Sequence, residues 1–235
     1  MRLARVLLSA SLAANRRPPG YTVGIDLGTT NSAIAVLKDG IPEVVPNSRK
    51  QMTTPSIIAY HPSDGRVIVG EDARDQSTSN VQNTIVSAKR FIGRPFRAVR
   101  SYLSIAGAKV EEGSDGEVLF RCPARGEAIA TEEASAQVLR ALLDDAELFT
   151  GCRAERAVIT IPAYFSEEQR LATLAAARLA GLAQVDLLAE PVAACLAHQL
   201  SGAVGTILVF DLGAGTFDVS VLQLCQDGSL EVRKP

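Results

Sequence analysis

Two stretches of this sequence carry the same order of residues. GIDLGTTNS starts at Gly24 and FDLGAGTFD starts at Phe210. Each has an apolar run, an aspartate, a leucine, a glycine and then small or hydroxyl-bearing residues. Aligning them sets Asp26 on Asp211, Leu27 on Leu212 and Gly28 on Gly213, and further on Val36 and Leu37 on Val221 and Leu222. The pattern predicts a strand, a tight turn and a returning strand, twice. Glycines and small residues let consecutive backbone N–H groups point outward together, which makes a concavity for an anion. Thr29, Thr30 and Thr216 add hydroxyl donors, and the two aspartates add the hard oxygen acceptors that suit Mg²⁺ or its waters. A single Asp-x-Gly turn is common because Asp and Gly dominate turns. Two copies facing each other would hold a polyphosphate and its metal between them. The chain has neither a Walker-A sequence nor G-x-G-x-x-G, so the P-loop and Rossmann modes of phosphate binding are excluded.

The elements that must position these loops can be read from the same sequence. Tyr21 to Leu27 predicts a buried strand and Asn31 to Leu37 a second. Asp39-Gly40 is a hairpin turn into a third strand, Ile41 to Val45. Short strands follow near Ser56 to Tyr60 and Arg66 to Val69, then a helix from Asn83 to Phe91 that stops at Gly93. Lys109 to Glu112 and Glu117 to Cys122 flank another turn, GSDG. Thr131 is placed to cap a helix to about Phe149, with Val138, Leu142 and Ala146 on one face. Ala157 to Ile161 reads as a strand, and Ser166-Glu167-Glu168-Gln169 as a capping box that opens an alanine-rich helix ending at Gly181. Val185 to Leu188 is a short strand, and Pro191 suits the first turn of a helix reaching to about Gly202. Thr206 to Asp211 and Thr216 to Leu224 are the last strands. Strands alternating with helices and hairpins give a mixed α/β sheet.

Composition sets further bounds. Of 235 residues, 47% are hydrophobic but only 5% aromatic, so the core must be aliphatic. A net charge of −2 argues against nucleic-acid binding through a broad basic surface. Cys122, Cys152, Cys195 and Cys225 lie far apart with only two histidines to help, which disfavours a zinc site and fits a reducing compartment. The residues before Asp26 contain no acid but carry Arg2, Arg5, Arg16 and Arg17 with Ser9 and Ser11. That is the composition of an organellar transit peptide, with a weak secretory signal or a plain disordered tail as rivals. The longest later apolar run is broken by Asp186 and Glu190, so no membrane span is expected.

At this point the chain resembles the nucleotide-binding domain of the seventy-kilodalton heat-shock chaperones of the DnaK type. GIDLGTTNSAIAVLKDG, QNTIVSAKRFIGRPF, VITIPAYFSEEQR and LVFDLGAGTFDVSVL match in order and approximate spacing. The resemblance runs from about Tyr21 to the end. It implies a ribonuclease H-like, actin-like ATPase lobe with a mixed sheet flanked by helices over residues 21–203. Residues 204–235 would be the start of a second lobe that continues beyond Pro235 in the family. It also implies ATP or ADP with Mg²⁺ as ligands and ATP hydrolysis in the service of protein folding. Thr29, Thr30 and Asn31 would form the first phosphate loop after Gly28. Gly213, Ala214, Gly215 and Thr216 would form the second. Asp26 and Asp211 would hold Mg²⁺ mainly through water. Lys89 would reach the γ-phosphate, and Glu190 would touch the metal's hydration shell and the catalytic centre. Pro162 and Arg170 would be the switch pair that relays nucleotide state. The partners implied are a J-domain co-chaperone, a nucleotide-exchange factor and unfolded polypeptides, the last through a domain absent from this sequence. The organelle implied is a mitochondrion or a plastid if the leader is a transit peptide, and the location cytoplasmic otherwise.

Plainer readings stand beside these. Lys89-Arg90 also suits the solvated face of a helix, Glu190 an acid favoured by a helix N-terminus, and Pro162 a strand terminator. Ala214 stands where the family has the middle of three glycines, and Ala189 where it usually has Asn. Asp186 lies at a usually basic position that meets J-domain proteins. With so little of the second lobe present, this chain is expected to bind ATP very weakly and not to turn it over. Two rival functions remain: a truncated, non-enzymatic interaction module, and a sugar kinase of the same fold, for which no acid acting on a sugar is evident.

Overall fold

A computed structural model describes residues 21–198, 205–213, 216–225 and 227–234. The chain begins with β1 (Tyr21–Asp26), β2 (Asn31–Lys38) and β3 (Ile41–Val44), an antiparallel meander. Asp39 and Gly40 both have positive φ, 52° and 78°, which is the twist a two-residue hairpin needs. Next come β4 (Thr54–Pro55), β5 (Ile57–Tyr60), β6 (Val67–Val69), the short helix α1 (Glu71–Asp75) and β7 (Thr84–Val86). Then follow β8 (Lys109–Glu112), β9 (Val118–Arg121), β10 (Ala128–Ala130) and the long helix α2 (Thr131–Thr150). The remainder is β11 (Ala154–Ile161), α3 (Glu167–Leu179), β12 (Gln184–Ala189), α4 (Glu190–Ala197), β13 (Gly205–Leu212), β14 (Phe217–Leu224) and β15 (Leu230–Lys234).

The main sheet runs in the order β12-β11-β1-β2-β3, with β4 pairing the start of β2. β1 is parallel to β11 and β11 to β12, while β1, β2 and β3 are antiparallel to each other. A parallel neighbour needs a crossover, and α3 supplies it between β11 and β12. Three smaller sheets, β6-β5-β7, β10-β9-β8 and β13-β14-β15, complete the fold. It is thus the mixed α/β architecture that the resemblance implied. The core is aliphatic as composition required. Val23, Ile25, Ile34, Val36 and Ile159 of the sheet are buried with Val138, Leu142 and Ala146 of α2. Phe91 and Phe120 meet edge to face at 5.3 Å beside them.

Three local expectations give way. The helix expected over Asn83 to Phe91 is instead a strand followed by a single tight turn, Ala88–Arg90. Thr84, Ile85 and Val86 are β-branched, and Ile85 is fully buried by pairing with Ile58 of β5. Thr131 does not cap α2. Ala130 holds that place, and the Thr131 hydroxyl donates to the Glu132 carboxylate at 2.9 Å. At α3 the expected box is present, with Ser166 accepting from the Gln169 N–H and Gln169 accepting from the Ser166 N–H. The boundary expected at 203/204 and the N-terminal segment 1–20 lie outside the described residues, and the helix expected to reach about Gly202 ends at Ala197 with His198 as its C-cap.

In the last sheet the strand register sorts the apolar residues onto two faces. Ile207, Val209, Val219 and Val221 do not share one face. Pairing sets Ile207 opposite Leu222 and Val209 opposite Ser220, on the face that packs toward α4. Val219 pairs with Phe210 and Val221 with Leu208 on the opposite face, where Leu208, Phe210, Leu212 and Phe217 are exposed.

Candidate functional site

β1 delivers Asp26 to the end of the sheet, where the Thr160 hydroxyl of the parallel neighbour β11 donates to its Oδ1 at 3.3 Å. The chain then turns through Leu27 to Thr30 into β2. Gly28 is required here by space: a Cβ would lie 2.0 Å from the Asn31 carbonyl oxygen. The turn is tied from below. The Gly28 N–H donates to Ser32 Oγ, the Ser56 hydroxyl donates to the Gly28 carbonyl, and the Ser56 N–H donates to the Thr30 carbonyl. These bonds occupy the inner side of the loop, and Thr29, Thr30 and Asn31 line the cavity above it.

The second hairpin joins β13 to β14, with Asp211 opposite Asp218 near its tip. The Gly213 N–H donates to the Thr216 carbonyl at 2.9 Å. Between the hairpins stand Lys89 and Glu190. Lys89 sits on the tight turn after β7, which Ser87 opens with a left-handed φ of 55°. Glu190 is the first residue of α4, directly after the end of β12. Lys89 Nζ lies 2.7 Å from Glu190 Oε1, with side chains only 9% and 18% exposed, so the pair is an enclosed ion pair rather than a solvated helix face.

A cavity of about 230 Å³ lies among these groups. Among the described residues, its walls hold Asp26, Glu190, Asp211 and Asp218 as acids and Lys89 as base. Burial raises the Glu190 carboxyl above its usual range, the Lys89 charge and hydrogen bond oppose this, and Asp26 and Asp211 add to it. Burial and the neighbouring Asp211 likewise raise Asp218, while its bond to Tyr164 lowers it. Burial and the carboxylates of Asp218 and Glu190 push the Tyr164 phenol up to about 12. Such an excess of carboxylate oxygen invites a hard divalent cation. Among the described residues no three acids, histidines or cysteines group closely enough to form a ready-made metal-ligand cluster. The acids and the two glycine turns fit a magnesium–polyphosphate ligand: oxygen donors for the metal, N–H and hydroxyl donors for the phosphates.

Of the residues singled out from sequence, Asp26, Gly28, Thr29, Thr30, Asn31, Lys89, Pro162, Glu190, Asp211, Gly213 and Thr216 all border this one cavity. Arg170 does not. It lies on α3 and donates to the Phe165 carbonyl. Ala214 and Gly215 fall outside the described residues. Asp186 is exposed on the edge strand β12. Among the described lining residues, Thr160, Tyr164, Ala193 and Asp218 were missed. The internal repeat could not reveal Asp218, because the first copy has Ala33 at the equivalent place. Its position at the rim is a matter of strand register: the side chain shares a face with Asp211. Among the described residues no helix is long and apolar enough to cross a membrane.

Comparison with known proteins agrees with this geometry. The profile of the family described as Hsp70 protein matches residues 22–234. The chain is 49% identical over 211 residues to the heat shock 70 kDa protein 7, chloroplastic, of Arabidopsis thaliana, covering 89% of this chain and 29% of that protein. It is 48% identical to the stromal 70 kDa heat shock-related protein, chloroplastic, of Pisum sativum, over 89% of this chain and 30% of that one. It is 49% identical to the chaperone protein dnaK of Emiliania huxleyi, over 91% of this chain and 34% of that one. The chain therefore spans about a third of the length of the curated relatives it matches.

Proposed function

This chain belongs to the Hsp70 family, and from that premise we propose that its cavity is the phosphate end of an Mg·ATP site working in an ATP-dependent chaperone. The observation that carries this reading is the Lys89–Glu190 pair held between two glycine turns in an acid-lined cavity. The reaction is transfer of the γ-phosphoryl group to water. A water oxygen bonds to the γ-phosphorus, the bond to the β,γ-bridging oxygen breaks, and ADP, orthophosphate and a proton result. Catalysis of this kind is mostly positioning and charge stabilisation. Thr29, Thr30, Asn31 and Thr216 cradle the phosphates with N–H and hydroxyl donors, and Gly213, Ala214 and Gly215 belong to the second loop. Lys89 contacts the γ-phosphate from the side and orients the attacking water. Glu190 fixes the ammonium in place. Asp26, Asp211 and Asp218 would hold Mg²⁺, which when bound would neutralise the phosphate charge. Pro162, at the cavity wall, and Arg170 behind it form the relay to the peptide-binding part.

The test uses a fusion that continues this chain with the remainder of a curated relative. Lys89→Ala should cut single-turnover ATP hydrolysis by about 10²–10³, the scale of one preorganised electrostatic contact, with Mg·ATP affinity little changed. A loss under threefold would return Lys89 to a structural role. The wider assignments rest on the same premise. A J-domain co-chaperone, an exchange factor and unfolded polypeptides are the partners proposed, with Asp186 weakening the first by reversing a charge on the docking strand. The acid-free, arginine-bearing leader and the chloroplastic relatives support a plastid address. A fluorescent fusion of residues 1–20 that stays diffuse in the cytosol would overturn that address.

A further inference from the structure

The acid-lined cavity adjoins a second one of about 330 Å³. Thr29, Lys89 and Thr216 border both, as do Pro162 and Tyr164. The walls that belong to the second cavity are Arg90, Arg94, Tyr102, Phe165 and Gln169. The two spaces carry opposite charge. The first sets four carboxylates against one ammonium. The second, among the described residues, sets Lys89, Arg90 and Arg94 against no carboxylate at all.

The arginines are built in place. The guanidinium carbons of Arg90 and Arg94 lie 5.1 and 5.5 Å from the centroid of the same Tyr102 ring. That ring is itself held edge-on by Phe91. Arg94 donates to the carbonyls of Arg90 and Ala98 at 3.4 and 2.9 Å. A guanidinium has five N–H donors, so Arg94 keeps donors for a further acceptor. Two like charges stacked on one ring repel, and the ring's quadrupole only partly offsets this. An anion between them would relieve the repulsion, and the forked donors match phosphate oxygens in geometry.

We propose that the second cavity is a binding site for inorganic phosphate, where orthophosphate released in the first cavity is held apart from ADP. This rests on the hydrolysis reading above for the source of the anion, though not for the site itself. Once the γ-phosphoryl group has moved to water, the product is a free anion beside an acid-lined wall, with the Lys89–Glu190 pair between it and the arginines. The field it meets then favours movement toward the arginines. Lys89 borders both spaces and keeps the anion paired as it passes.

The probe is inorganic phosphate, titrated into the full 235-residue chain at constant ionic strength. The Nε–H signals of Arg90 and Arg94 and the Tyr102 ring signals are followed by NMR. Saturable shifts at these groups are expected. Arg94→Gln should weaken phosphate about tenfold, the scale of one charged hydrogen bond. Gln169→Glu should weaken it similarly. A glutamate still accepts the Ser166 N–H and completes the capping box, so this variant keeps the fold while adding a negative charge at the wall. Phosphate affinity should be unchanged or higher with Mg·ADP present. Absent shifts at the arginines, equal affinity in the original chain and Gln169→Glu, or displacement of phosphate by Mg·ADP would each overturn the proposal. Mg·ADP binding is titrated separately by calorimetry. The calorimetry uses the completed fusion: if Mg·ADP fails to bind there while phosphate still binds at the arginines, the hydrolysis reading falls and the anion site stands.

Discussion

Lys89 and Glu190 meet at 2.7 Å in a place where neither is well hydrated. An enclosed ion pair offsets its desolvation only while both partners remain, so removing one is costlier than the pair is valuable. Without Lys89, Glu190 would face Asp26 and Asp211 uncompensated. Lys89→Ala should therefore destabilise the chain by about 2–3 kcal/mol at pH 8. The sign of the pH effect follows from the raised Glu190 carboxyl. A carboxyl whose folded-state pKa lies above its unfolded value favours folding while protonated, and that contribution is lost as pH rises through the folded value. The variant should thus lose less stability at pH 5 than at pH 8, and adding Glu190→Gln should recover most of the loss. Urea unfolding at the two pH values measures this. An equal loss at both would mean that Lys89 matters chiefly for its packing over the Phe165 ring.

At the scale of elements, the two phosphate turns are alike in sequence but not in tolerance. A methyl group at Gly28 would collide with the Asn31 carbonyl, while at Gly213 it would come no nearer than 3.3 Å to the Thr216 hydroxyl. Gly28→Ala should cost about 1–3 kcal/mol of overpacking and lower Tm by about 2–12 °C for a domain of this size. Gly213→Ala should leave it nearly unchanged. Thermal unfolding followed by circular dichroism distinguishes the two, and equal values for them would sink the argument from space. A second element contact joins α1, α2 and the loop before β4. There Asn47 Nδ2 donates to both oxygens of the buried Glu71, and Asp145 of α2 accepts from the Ser48 N–H. Burial and the charges of Asp144 and Glu71 push Asp145 up to about 6. Its stabilising protonated form is complete below the unfolded value and lost as pH rises through about 6. Asp145→Asn should raise stability at pH 7.5 by at most about 1 kcal/mol once solvent screening is allowed for, with no gain at pH 4. A loss of stability at pH 7.5 would show that the carboxylate is needed where it stands.

For the whole molecule, the decisive feature is the outer face of the last sheet. Leu208, Phe210, Leu212, Phe217 and Val219 are exposed together, and Leu212 is 81% exposed. Phe210 and Phe217 stack across the hairpin at 6.4 Å without further cover among the described residues. β13 is moreover an edge strand with one charged residue, a poor defence against pairing with another chain. The chain in isolation is expected to self-associate at micromolar concentration. Leu212→Ser combined with Phe210→Ser should shift sedimentation toward the monomer, and an original chain that sediments as a monomer at 50 µM would contradict this. The inner face of the same sheet behaves otherwise: Leu222 and Leu224 are buried, so the hairpin is anchored on one side and bare on the other.

Local physics was legible in the sequence because its causes are local. Gly28, the Asp39-Gly40 turn and the Ser166 box each act within a few residues. The doubled Asp-Leu-Gly pattern pointed to two hairpins, and the mixed α/β class followed from alternating periods. The resemblance to a known family added Lys89 and Glu190, which no spacing could pair, since 101 positions separate them. Tertiary structure alone decided their contact: β7 had to pair with β5, overriding the expected helix, before its following turn could aim Lys89 at the start of α4. It also decided Asp218, which strand register sets beside Asp211, and the arginine-lined cavity, which exists only where the turn carrying Arg90 packs against Tyr102 and the start of α3. Contacts between residues far apart in the chain depend on which partner buries the most apolar surface, and that choice is made by the whole core rather than by any segment of it.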